Sequence, residues 1–165
     1  MLGNPVGPNE SPKLELLGLG NLWTVKTLEK IANKKEPVIV FLMDTKSNRE
    51  WMSKVKDKCN MKNGFIVPSK GNSGGLALLW KEEIMVDVKT YSHDHIDAWV
   101  NGGLTVGWWH LTRFYGNPEI AKCPESRAKL KHLKGTSSLP WLVIGDFNKI
   151  MGLSKKEGGS IRLRR

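Results

Sequence analysis

Leu139-Pro140-Trp141-Leu142-Val143-Ile144-Gly145-Asp146-Phe147-Asn148 is the stretch whose reading decides the fold. Trp141 to Ile144 is a short apolar run with β-branched residues, the pattern of a buried strand. It runs directly into Gly145-Asp146-Phe147-Asn148. Side chains alternate along an extended chain, so Asp146 and Asn148 point one way and Phe147 turns back toward the core. Gly145 removes a side chain where a substrate or a neighbouring strand must come close. A carboxylate and an amide on one face of a strand end suit phosphoester chemistry: the carboxylate can orient or deprotonate a water, and the amide can hold a phosphate oxygen. A strand capped by an Asx turn has the same four residues, so both readings stand at this point.

Working back from that strand, Pro124 to Lys134 reads as a basic helix with proline in its first turn and Gly135 at its end. Leu130 and Leu133 point inward, and Arg127, Lys131 and Lys134 share the outer face. Before it the chain reads as strands. Leu104 to Tyr115 is a long one, ending in Phe114-Tyr115-Gly116. His95 to Val100 and Ile84 to Tyr91 form hairpins around Ser92-His93-Asp94 and Asn101-Gly102-Gly103. Leu76 to Trp80 is a buried strand. Asn63-Gly64 reads as a turn ahead of a strand from Phe65 to Pro68.

The first third alternates helix and strand. Leu14 to Leu19 is a short strand, and Asn21 can cap a helix reaching to about Asn33, with Leu22, Val25, Leu28 and Ala32 on one face and Lys26, Lys30 and Lys34 on another. Val38 to Met43 is a near-continuous apolar strand ending at Asp44. Ser47-Asn48-Arg49-Glu50 has capping-box spacing and opens a second helix, with Trp51, Met52, Val55 and Cys59 inward. This element order is that of an α+β domain.

The chain of 165 residues suffices for one domain with a real core. A formal net charge of +10 favours acidic partners, nucleic acid first. Cys59 and Cys123 give neither a disulfide framework nor metal-ligand spacing, which fits a reducing compartment. No run approaches a membrane span, and Met1 to Lys13, rich in Pro, Gly and Asn, lacks a signal-peptide core. The expected organisation is a disordered leader at 1–13, a domain at 14–159 and a basic tail at 160–165, in a nuclear or cytoplasmic rather than secreted protein.

Several ordered motifs together resemble the endonuclease/exonuclease/phosphatase family, the deoxyribonuclease-I-like fold. Within it, the resemblance is to the endonuclease domain that opens plant non-LTR (LINE-type) retrotransposon polyproteins. The residues that carry it are Gly18-Leu19-Gly20-Asn21, Trp23-Thr24-Val25, Val40 to Lys46, Ser73 to Trp80, His95-Ile96-Asp97-Ala98, Phe114-Tyr115-Gly116 and the strand into Asn148. The resemblance implies a four-layer α/β/β/α sandwich, incomplete at the C-terminus, and Mg²⁺-dependent phosphodiester hydrolysis of DNA, with Mn²⁺ as an alternative ion. It implies that Asp146 serves the attacking water, that Asn148 contacts the phosphate, and that the Tyr115 hydroxyl donates to a phosphate oxygen as charge develops. Asp44 stands where the family usually has a metal-binding glutamate. Mg²⁺ takes carboxylate oxygens at about 2.0–2.1 Å, so the shorter aspartate requires a displaced ion or a bridging water.

Departures from the family pattern are equally informative. Glu15 falls where a first-strand asparagine belongs, and a carboxylate there could in principle bind a cation. The metal-proximal aspartate and the closing Ser-Asp-His have no counterpart in the sequence, and none of His93, His95, His110 or His132 has the context of that histidine. Losing one member of a catalytic unit costs orders of magnitude in rate. The expectation is therefore a weakly active or inactive endonuclease domain. A non-catalytic nucleic-acid-binding relic is the alternative, ahead of a small-molecule or inositol phosphate phosphatase. Missing strands would leave an apolar sheet edge open to self-association. His93, His95 and Asp97 read as hairpin residues rather than a metal cluster, Gly71 to Gly75 as a turn rather than a phosphate loop, and the seven tryptophans as packing first.

Overall fold

The computed structural model describes residues 14–18, 25–43, 45, 49–69, 74–102, 107–117 and 119–147. Two four-stranded sheets are stacked face to face. In the first, β1 (Leu14–Gly18) runs parallel to β2 (Ile39–Met43), which pairs antiparallel with β4 (Leu76–Trp80), itself flanked by β3 (Asn63–Val67). In the second, β5 (Met85–Ser92), β6 (His95–Asn101) and β7 (Trp108–Tyr115) form an antiparallel meander, and β8 (Trp141–Asp146) joins β7 in parallel.

Alternation along the strands builds the layers. Ile39 and Phe41 of β2 meet Ile96, Ala98 and Val100 of β6 and Trp109 and Leu111 of β7 in the core between the sheets. Val40 and Leu42 point the other way, under helices α1 (Val25–Lys35) and α2 (Arg49–Lys58), where Leu28, Ala32, Met52, Val55 and Cys59 close a second core. These helices bury aliphatic positions three and four apart and leave Lys30, Lys34 and Lys54 in water. Burial, and then the nearby Glu29 carboxylate, push the Cys59 thiol up to about 11, so it is a protonated core group. Helix α3 (Cys123–Gly135), entered through a 3-10 turn at Ile120–Lys122, carries the chain from β7 to β8 and covers the second sheet. The result is the expected α/β/β/α order of layers.

Two expected boundaries move. Asn63 and Gly64 lie inside β3 rather than in a turn; the chain reverses earlier, at Asn60, whose φ of 54° is left-handed. Gly64 is needed for packing, because a Cβ there would stand 2.7 Å from the Leu79 side chain on β4. The strand expected from Leu104 begins at Trp108 as described, and residues 103–106 lie outside the described residues. No helix among the described residues is long and apolar enough to cross a membrane.

Candidate active site at the ends of β7 and β8

A parallel pair of strands brings its two C-terminal ends to one rim, and here those ends are Tyr115 and Asp146. They are direct partners in the ladder. Register partners in a parallel sheet point to the same face, so the phenol and the carboxylate stand side by side. That face is the one turned toward the other sheet, because Leu111 two positions below Arg113 belongs to the inter-sheet core. Both are open to water, Tyr115 at 37% relative exposure. The backbone holds them from both sides: the Tyr115 N–H donates to the Asp94 carbonyl at 2.7 Å, and the Gly116 N–H donates to the Asp146 carbonyl at 2.7 Å. Phe147 turns the opposite way, its ring stacked 6.5 Å from that of the fully buried Phe114.

Gly145 explains how the strands come so close. A Cβ at this position would stand 1.7 Å from the Phe114 carbonyl oxygen and 2.9 Å from Nη1 of Arg113. No side chain fits, so it is the neighbouring strand that approaches. Arg113 lies one layer beneath Tyr115 on the same face, in register with Ile144. It is fully buried, and its Nη1 donates to the Phe114 carbonyl oxygen. Its Nε and Nη2 have no hydrogen-bond partner among the described residues. Burial pulls the Arg113 pKa down to about 10, against the opposing pull of Asp146 and then Tyr115. The group therefore stays a cation at neutral pH.

Beside Tyr115 a cavity of about 270 Å³ opens between the β5–β6 turn and the start of α3, lined by His93, Asp94, Asn117, Lys122, Glu125 and Lys129, among others. Lys129 Nζ reaches across from α3 to both Asp94 carboxylate oxygens, at 2.7 and 2.9 Å. Ser92 Oγ donates to the same carboxylate, which also lies 3.0 Å from Nδ1 of His95. Burial by itself would raise the Asp94 pKa. Hydrogen bonds from His95, Lys129 and Ser92, with the charge of Lys129, overcome that and hold the carboxyl well below the usual carboxylate range. His93 and Asp94 form the expected turn, whereas Asp97 lies further along β6, buried within the sheet. There Asp97 Oδ1 accepts from Nε2 of His110 at 2.7 Å and from the Thr112 hydroxyl at 2.5 Å, and Trp141 Nε1 donates to Thr112 at 2.8 Å.

Of the residues expected at the site, the structure thus brings Tyr115 and Asp146 together. Asp44 and Asn148 lie outside the described residues, and Glu15 sits in β1 with its side chain undescribed. Among the described residues no three His, Cys, Asp or Glu side chains gather in a way that could hold a metal ion. Sequence reading missed Arg113 and the Asp94–Lys129 clasp. A charged arginine in the middle of the largely aromatic and aliphatic run Trp108 to Tyr115 was the available signal for the first.

No family model matches the sequence, and no curated protein does. Solved structures match by shape. A humanized D. rerio TDP2 superposes with a TM-score of 0.58 at 15% identity, over 81% of this chain and 60% of that one. The endonuclease domain of TRAS1, a telomere-specific non-LTR retrotransposon, gives 0.52 at 15%, over 81% and 58%. D. rerio TDP2 complexed with a single-strand DNA product gives 0.54 at 16%, over 75% and 53%. At these identities the likeness is one of fold. The fold is of the endonuclease/exonuclease/phosphatase type, and the chain spans between half and two thirds of the length of each of these structures.

Proposed function

We propose that this chain is a phosphodiesterase domain of the retrotransposon endonuclease kind, acting on DNA. The observation that carries the reading is the Tyr115–Asp146 pairing at the shared C-terminal end of two parallel strands, open to water on the face between the sheets. In this arrangement Asp146 orients the attacking water and accepts its proton, while the Tyr115 hydroxyl donates to the phosphate oxygen on which charge accumulates. Asn148, two residues past Asp146, contacts the phosphate. Mg²⁺, or Mn²⁺ in its place, supplies neutralisation of phosphate charge when bound, with Asp44 and, secondarily, Glu15 as its protein ligands. The net charge of +10 draws the polyanion toward the site. Glu15 in place of an asparagine argues for a low rate. If the rate falls to nothing, the basic surface still supports nucleic-acid binding.

Nicking of supercoiled plasmid, in Mg²⁺ and in EDTA, tests the reading. Metal-dependent nicking by the wild-type chain should fall by about 10²-fold or more in Asp146→Ala, the usual contribution of a positioned acid–base group. Equal nicking by both proteins would remove Asp146 from the chemistry.

A further inference from the structure

We propose that Arg113 is an anchor for the substrate phosphate, its Nε and Nη2 held for two oxygens of the group that lies across Tyr115 and Asp146. The proposal rests on the phosphodiesterase reading only for the identity of the ligand; the anchor itself stands on geometry. Arg113 is wholly buried on the inner face of β7, directly below Tyr115 and alongside Ile144. One of its nitrogens, Nη1, is fixed on the Phe114 carbonyl. The two left without partners, Nε and Nη2, form the side edge of the guanidinium. That edge presents two parallel N–H groups at the spacing of two phosphate or carboxylate oxygens, the geometry that makes arginine a bidentate anion ligand.

An unpaired buried donor is costly, and more so when charged, so two on one edge are not a neutral packing solution. Elsewhere in the sheet Asp97, Thr112 and Trp141, on β6, β7 and β8, are tied to one another and to His110, and single nitrogens of His110 and Trp109 are left over, whereas Arg113 leaves a pair on one edge. Gly145, required by the close approach of the Phe114 backbone, also leaves Nη1 room beside it. The group lies under the rim residues rather than beside them. Tyr115, more than a third exposed, ends the strand two residues beyond Arg113 on the same face, and rotation of such a side chain occurs in nanoseconds or less. A phosphate entering between Tyr115 and Asp146 brings two negative oxygens to a fixed cation that has donors for both. The Asp94–Lys129 clasp cannot substitute, because Lys129 is already held by both Asp94 oxygens.

The test is a titration of the full chain with the dinucleotide thymidylyl-thymidine in EDTA, followed in the ¹H–¹⁵N spectrum of arginine Nε–H groups. The Arg113 signal is assigned by its loss in Arg113→Met. It should shift saturably with the dinucleotide. Arg113→Met should bind at least about tenfold more weakly, and Arg113→Lys, which carries the charge without the fork, should fall between. A resonance that stays still, or equal affinity in Arg113→Met, would overturn the anchor. Should the methionine variant not fold, the wild-type titration still decides. Dinucleotide binding that depends on Arg113 in a chain that never nicks plasmid would sink the nuclease reading and keep the anchor. Nicking with unchanged rate and affinity in Arg113→Met would do the reverse.

Discussion

β7 carries polar side chains into the interior on both of its faces, and the two faces treat them differently. On the face toward α3, His110 and Thr112 converge on Asp97, and Trp141 closes the set from β8. A carboxylate only accepts, so the His110 nitrogen facing it carries the proton, and three strands are stitched by three hydrogen bonds. Only Nδ1 of His110 is left over in that cluster. On the face between the sheets, Arg113 is as deeply buried, yet among the described residues its guanidinium bonds one carbonyl of its own strand and leaves two nitrogens without a partner. A closed polar set specifies and rigidifies a sheet; an open one, next to solvent-exposed Tyr115 and Asp146, is what a site held ready for a ligand looks like. On the proposed reading, the contrast separates a scaffold from a working surface within the eight residues of β7.

The largest effect is expected on the scaffold face. Asp97→Ala removes the acceptor of both His110 and Thr112 and leaves two buried donors facing apolar space. Breaking a buried pair from one side costs about 3–5 kcal/mol. Urea denaturation should therefore show the midpoint falling steeply with little change in slope. A loss below about 1 kcal/mol would mean that the cluster is reached by water and is no scaffold.

The working face should respond with the opposite sign. Burial lowers the Arg113 pKa to about 10, so the folded state disfavours its protonated form. The corresponding cost is present throughout the neutral range and is relieved only as pH rises past that value. Arg113→Met keeps much of the volume and discards the two unpaired donors, at the loss of one bond to the Phe114 carbonyl. Its melting temperature should rise, by about 1–3 kcal/mol of stability, while phosphate binding declines. A methionine variant that is less stable than wild type would place Arg113 with the scaffold after all.

The two faces were not equally legible in sequence. Layers and element order follow from periodicity: Val40 and Leu42 against Ile39 and Phe41, Met52 and Val55 one helical turn apart, and the apolar run into Gly145-Asp146. Tyr115 and Asp146 could be singled out as residues, but not as neighbours. Only the crossover through α3, which sets β8 parallel to β7 with Tyr115 opposite Asp146, makes them a pair. Arg113 and the Asp97 cluster escaped because strand alternation says which face a residue takes, not whether its hydrogen bonds close. Asn63-Gly64 misled for a related reason. A glycine that makes room for Leu79 across a sheet looks, in one dimension, the same as a glycine that turns the chain.

Asp94 tests the comparison from between the two extremes, as a half-buried carboxylate at the rim that is nonetheless fully engaged. Its folded-state pKa is depressed by its hydrogen bonds and by Lys129 against the opposing effect of burial. A depressed carboxyl contributes stability above its unfolded pKa, near 4, and loses it as pH falls below that value toward the folded one. Between pH 7 and pH 3 only the upper part of this window is crossed. Lys129, with its side chain 36% exposed, also screens its share of the interaction in water. The wild-type urea midpoint should consequently drop between those pH values by more than that of Asp94→Asn, by about 1 kcal/mol. The same variant should leave the high-pH behaviour attributed to Arg113 unchanged, because the Arg113 shift comes from burial, Asp146 and Tyr115 and not from Asp94. Parallel pH profiles for wild type and Asp94→Asn would show that the clasp is ornamental at the rim. Among the described residues, the polar order around Tyr115 would then rest on the strand pairing itself.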